Sequence, residues 1–161
     1  VFGAPVPQLG SAVYTGPDQP ADAAFPDTTG IEAVWLFRDG GWLGFFPGTP
    51  LPPPLLHQYD ALVVTALPGA RGAAGPALTV VRREVSRAAG SNLVAYTGVG
   101  GPIGELLDAA LLEAAPAVWL FRDGAWLGFF PTAPAISRVT DLRLGDLVFI
   151  ALDAPQLWLM E

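Results

Sequence analysis

VWLFRDGGWLGFFP occupies Val34–Pro47 and VWLFRDGAWLGFFP occupies Val118–Pro131, differing only at Gly41 against Ala125. In each copy an Asp-Gly pair, Asp39–Gly40 or Asp123–Gly124, separates two strand-like runs. That dipeptide signals a two-residue type I′ turn, because both central positions need positive φ and these residues tolerate it. Such a turn sets the register of an antiparallel hairpin: Phe37 faces Trp42, Leu36 faces Leu43, Trp35 faces Gly44 and Val34 faces Phe45. One side then carries Trp35, Phe37, Trp42 and Phe46, the other Val34, Leu36, Leu43 and Phe45. The second hairpin repeats the aromatic side with Trp119, Phe121, Trp126 and Phe130. Gly44 and Gly128 lie opposite Trp35 and Trp119, which leaves room for an indole across the neighbouring backbone. A three-residue loop would move Trp42 and Phe46 to the other side, and both faces would still be apolar.

A surface hairpin alternates apolar with polar residues, so something must cover both faces here. At roughly 25 cal/mol per Å² and 150 to 250 Å² per ring, four aromatics represent about 15 to 25 kcal/mol of gross transfer free energy. Two covers suffice: a sandwich core formed with the other copy, or an interface or ligand platform on part of the aromatic face.

The duplication extends beyond the hairpin. AVYTG at Ala12–Gly16 answers VAYTG at Val94–Gly98, and YDALVVTAL at Tyr59–Leu67 answers GDLVFIAL at Gly145–Leu152, with Asp60 and Asp146 in register. The offset grows from 82 through 84 to 86, so the connections absorb small length changes while the motifs persist. A tandem repeat of one supersecondary unit follows. In the first copy the strands are expected at Ala12–Thr15, Ala33–Arg38, Trp42–Phe46, Ala61–Leu67 and Leu78–Val85, with Val6–Leu9 leading. In the second they are expected at Leu93–Thr97, Ala117–Arg122, Trp126–Phe130, Leu147–Leu152 and Gln156–Met160.

One helix is expected, over Pro102–Ala115, where Ile103, Leu106, Leu107, Ala110, Leu111 and Ala114 recur at helical spacing behind a proline in the first turn. Pro17, Pro20 and Pro26 interrupt the matching stretch of the first copy and leave only a turn around Ala21–Phe25 for helix. Loops are marked by PGTPLPPP at Pro47–Pro54 and PGARGAAGP at Pro68–Pro76. The fold class is therefore mainly β with a minor helical part. Two antiparallel units, 1–86 and 87–161, pack with approximate twofold symmetry into one sandwich- or barrel-like composite domain.

Of the 161 residues 52% are hydrophobic and only 14% charged, against roughly 25% charged in typical soluble domains. No apolar run reaches the ~18 residues needed to span a bilayer, so the excess points to surface buried between subunits. A net charge of -7 argues against nucleic acid. The basic cluster Arg82, Arg83 and Arg87 reads as an exposed strand end. Cysteine is absent, which removes disulfides and thiolate metal sites. All the basic side chains are Arg, Asn and Met occur once each, and Pro is abundant. This profile fits heat tolerance and equally a GC-rich genome. A first residue of Val1 without a leader fits a processed secreted protein.

Chemistry-bearing residues find structural explanations. His57, the sole histidine, reads as a loop residue; no G-x-S-x-G accompanies the few serines. Asp39 and Asp123 belong to turns, Asp60 and Asp146 to loop-to-strand junctions, and Glu105, Asp108 and Glu113 to a helix's solvent face. Asp18, Asp22 and Asp27 cluster without the spacing of a calcium loop, and TGVGGPIG at Thr97–Gly104 lacks the features of a phosphate loop. No catalytic residue, metal site or cofactor is expected, and the chain reads as a non-enzyme.

NLVAYTG at Asn92–Gly98, the second hairpin and LRLGDLVFIAL at Leu142–Leu152 together resemble a tandem module of secreted and surface proteins from GC-rich bacteria. Its pattern is W-N-L-V-x-Y/W-T-G, a helical stretch, V-W-x-F/W…W…F/Y-x-P and L-x-x-G-D-x-x-W-I/V. The resemblance covers nearly all of 92–152 and, more loosely, 12–67, where the long helix is lost and HQYD replaces the L-R-x-G-D step. It implies an extracellular, noncatalytic β-rich module and carries over no catalytic residues.

The expected function is a structural subunit of an extracellular assembly, a filament, pilus-like fibre or surface layer. It would associate with itself through Trp35, Phe37, Trp42, Phe46, Trp119, Phe121, Trp126 and Phe130. The apolar leader VFGAPVPQL offers Val1, Phe2, Val6 and Leu9 as a donor strand for a neighbouring subunit. The alternative is a secreted carbohydrate-binding module stacking glycan on exposed Trp35, Trp42, Trp119 and Trp126.

Overall fold

Both Asp-Gly turns close as type I′ turns in the computed structural model, which describes residues 7–72 and 75–160. The φ angles are 52° and 77° at Asp39 and Gly40, and 51° and 77° at Asp123 and Gly124. The pairs are Phe37 with Trp42, Leu36 with Leu43, Trp35 with Gly44 and Val34 with Phe45, and the second hairpin repeats them.

In chain order the first unit comprises β1 (Gln8–Val13), β2 (Gln19–Pro20), α1 (Ala21–Ala24), β3 (Ile31–Arg38), β4 (Gly41–Phe45), β5 (Leu55–Leu56) and β6 (Ala61–Ala66). After β7 (Arg83–Arg87) the second unit comprises β8 (Gly90–Ala95), β9 (Gly101–Pro102), α2 (Ile103–Leu106), α3 (Ala109–Ala114), β10 (Val118–Arg122) and β11 (Ala125–Phe129). It continues through β12 (Asp141–Leu142), β13 (Leu147–Leu152) and β14 (Gln156–Met160). Each unit builds a four-stranded antiparallel sheet of the same topology, β1-β6-β3-β4 and β8-β13-β10-β11. Each also forms a short ribbon, β2 with β5 and β9 with β12.

The duplication reaches the hydrogen bonds. Tyr14 N donates to Asp60 O at 2.9 Å and Tyr96 N to Asp146 O at 2.8 Å, while the Tyr14 and Tyr96 hydroxyls each donate 2.7 Å to a carbonyl three residues on. Tyr59, with φ 68°, stands where the second copy has Gly145, with φ 91°.

Alternation along the strands sends one face of each sheet to its own helical cap and the other to the partner sheet. Tyr14, Phe25, Val34, Leu36 and Leu62 form the first cap core; Tyr96, Ile103, Leu111, Val118 and Leu120 belong to the second. Between the sheets, Ala61 and Val63 meet Leu93, Ala95, Phe121 and Leu147, with Trp35, Phe37 and Phe149 at the margin. β3 touches β8 and β10 touches β1, the exchange a local twofold axis produces. The molecule is a duplicated β-sandwich. No helix among the described residues is long and apolar enough to cross a membrane.

Three elements differ from expectation. In place of a leading strand ending at Leu9 and a second over Ala12–Thr15, the single strand β1 runs Gln8–Val13, paired along its whole length with β6. The helix over Pro102–Ala115 is broken: Leu107 is extended, and Asp108 starts α3 by accepting a hydrogen bond from Leu111 N at 2.8 Å. An aspartate stabilises a helix start better than an interior, so it outweighs the apolar periodicity. The strand expected at Leu78–Val85 forms at β7 instead, and β7 pairs with β14 rather than with the first sheet.

That ribbon seals the second cap core. Trp158 is buried, stacks on Tyr96 at 5.7 Å and donates from Nε1 to Leu106 O at 3.0 Å. Carrying the 86-residue offset back places Gly72 at the position of Trp158. Without that indole, a 260 Å³ slot opens over Ala12, Phe25, Ile31, Val64 and Ala66. Ala12, Val64 and Ala66 are only half-buried, whereas their counterparts Val94, Ile150 and Leu152 are buried.

Candidate functional site: a tryptophan cluster shared by both units

The sheet-to-sheet packing brings the aromatic sides of the two hairpins together at one margin of the sandwich. Two adjoining hollows form there, one of 350 Å³ lined by Trp35, Trp42, Val63 and Trp126, the other of 340 Å³ lined by Trp42, Trp119, Trp126 and Phe149. These sets interchange under the repeat, Trp35 with Trp119, Trp42 with Trp126 and Val63 with Phe149, so the cluster straddles the local twofold axis.

Each indole is held by a second ring. Phe46 meets Trp35 edge-on at 5.0 Å and Phe130 meets Trp119 at 5.7 Å. Phe37 packs on Trp42 at 5.3 Å and on Phe149 at 5.7 Å, while Phe121 packs on Trp126 at 5.0 Å. Edge-to-face geometry fixes the rings without covering their outer faces. Trp42, Trp119 and Trp126 remain 47%, 40% and 39% exposed. The expected residues thus divide by position: Trp42, Trp119 and Trp126 form the open surface and Trp35 is half-buried, Phe37 and Phe121 lie beneath in the inter-sheet core, and Phe46 and Phe130 brace from the side. Among the described residues no charged group lines either hollow, so the chemistry on offer is stacking and apolar burial.

Leu9 sits within β1 opposite Thr65 with its side chain exposed. Val1, Phe2 and Val6 lie outside the described residues.

A repeated clasp escaped the sequence reading. Arg38 donates to Asp60 at 2.7 Å and to Leu55 O at 3.0 Å. Arg122 donates from Nε to Asp146 at 3.0 Å and from Nη2 to Asp141 O at 3.0 Å. The hydrogen bond to Asp146 raises the Arg122 pKa despite its partial burial. The signal was present: the arginine before each Asp-Gly turn and the aspartate before each following strand recur in register.

Arg83 and Arg87 do not form an exposed strand end. Arg83 donates to Thr97 Oγ1 at 3.1 Å and Ala95 O at 2.7 Å and lies 4.9 Å from the Tyr59 ring centroid. Arg87 is half-buried between β8 and the first hairpin. The aspartates of the Asp18–Asp27 stretch are engaged separately: Asp18 faces His57 Nδ1 at 2.7 Å, Asp22 accepts from Ala23 N, and Asp27 accepts from Thr29 N and faces Arg71. No group of side chains placed to hold a metal ion occurs among the described residues.

No family model, curated protein or solved structure matches this chain.

Proposed function

We propose that the chain is a noncatalytic structural subunit of an extracellular assembly and associates with copies of itself through the tryptophan cluster. The observation that carries this reading is the cluster itself: half-exposed, uncharged indoles contributed by both repeats around one twofold axis. Exposed aromatic area of this kind is characteristic of contact surfaces. A patch with local twofold symmetry also presents nearly the same shape after half a turn, which suits contact between identical chains. The extracellular setting rests on the resemblance of the repeat to modules of secreted and surface proteins.

The slot beside Gly72 supplies a second, unlike surface. Among the described residues nothing fills it, and an apolar strand from a neighbour, including its leading Val1–Val6, would replace the missing indole. One isologous and one head-to-tail contact together permit open-ended growth.

The test is sedimentation of the native protein over a wide dilution series. Higher-mass species that dissociate on dilution are expected, and Trp42→Ser with Trp126→Ser should abolish the twofold contact. A monomer at all concentrations overturns the proposal. A second reading, glycan stacking, is favoured by the size of the hollows and their flanking indoles. Saturable quenching of tryptophan fluorescence by oligosaccharides in a protein that stays monomeric would select it.

A further inference from the structure

The local twofold symmetry is broken at one place with consequences for binding. The second hairpin's turn packs tightly against β1, so that a Cβ on Gly124 would fall 2.9 Å from Leu9 O. At the mate of this contact the first hairpin's turn stands off from the β7–β8 connection, and among the described residues Gly40 has nothing within 4 Å of where its Cβ would be. A cavity of 440 Å³ opens between the turn and residues Ser86–Leu93. That volume is within the range of small-molecule sites, about 300 to 1,000 Å³.

Arg87 lines this cavity, and its Nε is the one buried side-chain nitrogen or oxygen without a hydrogen-bond partner among the described residues. Burial and the like charge of Arg83 push its pKa down to about 10. A buried guanidinium N–H is ordinarily hydrogen-bonded, because desolvation is costly without a partner. Of the other polar groups that line the cavity, Arg38, Asp60 and Asn92 are already engaged. Arg38 holds Asp60 and Leu55 O, and the Asn92 amide donates to Ala88 O and Gly90 O, shaping the β7–β8 turn.

We propose that this cavity binds a small organic carboxylate, which pairs with the Arg87 guanidinium and lays its carbon body against Phe37, Leu93 and Ala89. A planar guanidinium fork matches a carboxylate in two parallel hydrogen bonds. The volume exceeds what a bare oxyanion fills, and Phe37, Ala89 and Leu93 give a mainly polar lining an apolar patch for the carbon body. Asp39 in the turn at the cavity's margin repels additional charge, so a monoanion fits better than a dianion.

Titration of the folded protein with benzoate, acetate and inorganic phosphate, followed by nitrogen–proton NMR, tests this. Benzoate is expected to shift the Arg87 Nε–Hε resonance saturably and to bind more tightly than acetate or phosphate. Arg87→Gln should weaken binding about ten- to hundredfold, read from the Gly40 and Ala89 amides, because a hydrogen bond to a charged group is lost. Ala89→Leu should block the cavity while leaving Arg87 intact, and Asp39→Asn, still suited to the turn, should tighten binding. The unliganded Arg87→Gln protein should unfold at the same temperature as the parent or higher, since it loses a partly desolvated charge whose Nε has no partner among the described residues. No saturable shift, equal binding by Arg87→Gln, or tighter binding of phosphate than of benzoate overturns the proposal.

Discussion

A methyl group added at Gly44 would fall 2.8 Å from the Phe46 ring and 2.9 Å from the Trp35 ring; at Gly128 the distances are 2.9 Å to Phe130 and 3.2 Å to Trp119. Neither glycine has positive φ, so the requirement is space for the indole and not backbone freedom. Overpacking of this kind costs about 1 to 3 kcal/mol. Gly44→Ala and Gly128→Ala should each lose that much in chemical denaturation and change the tryptophan fluorescence. This requirement was legible in the sequence, because the two-residue turn places each glycine opposite a tryptophan. The Arg–Asp clasps were harder to read, since a carboxylate at a loop junction has a local explanation that conceals a distant partner. They also differ in depth. Arg122 and Asp146 are 12% and 6% exposed in their side chains, against 26% and 22% for Arg38 and Asp60. Removing one partner of a buried pair costs about 3 to 5 kcal/mol, so Asp146→Ala should destabilise by that order and Asp60→Ala by less.

Elements show where local signals compete. The apolar spacing over Pro102–Ala115 predicts one helix, and the structure divides it at Leu107–Asp108. Periodicity reports which side chains face the core, and two short helices with an extended link satisfy that pattern as well as one long helix does. Asp108→Ala removes the cap of α3 and should cost about 0.5 to 2 kcal/mol by thermal denaturation. The HQYD and L-R-x-G-D steps present a related contrast. A glycine at 145 adopts φ 91° without strain, while Tyr59 holds φ 68° in the first copy and keeps its ring beneath Arg83. The β7–β14 pairing was the least legible feature, because it joins segments about 70 residues apart and neither carries a turn or motif that names the other.

At the scale of the whole molecule, acid should act through scattered surface carboxylates. The His57 hydrogen bond lowers the Asp18 pKa, the Thr29 backbone N–H lowers that of Asp27, and the Arg143 hydrogen bond lowers that of Asp141, each from an ordinary 3.8. Folded values below the unfolded ones mean that the stabilisation is complete above 3.8 and is lost as pH falls through the folded values. The thermal midpoint should therefore decline below about pH 4, with added salt reducing the effect.

The larger asymmetry is that the duplicated sheets are capped unequally. The second cap core is sealed by Trp158, and the first is left with a slot at Gly72. A repeat diverges freely where its burial can be supplied from elsewhere, so the loss of an indole in one copy alone is coherent if another segment fills the slot in the assembly. Reciprocal substitutions test this. Trp158→Gly should empty the sealed core and cost about 3 to 5 kcal/mol in chemical denaturation. Gly72 has no positive φ, and among the described residues nothing lies within 4 Å of where its Cβ would be, so Gly72→Trp is sterically accessible there. If the slot receives a neighbour's strand, an indole supplied in cis should stabilise the single chain and compete with that strand. Sedimentation would then show shorter assemblies for Gly72→Trp, and deletion of residues 1–6 would shorten them equally while leaving β1 intact. A stabilised Gly72→Trp protein with undiminished assembly would instead place the growth contact elsewhere, on the tryptophan cluster alone.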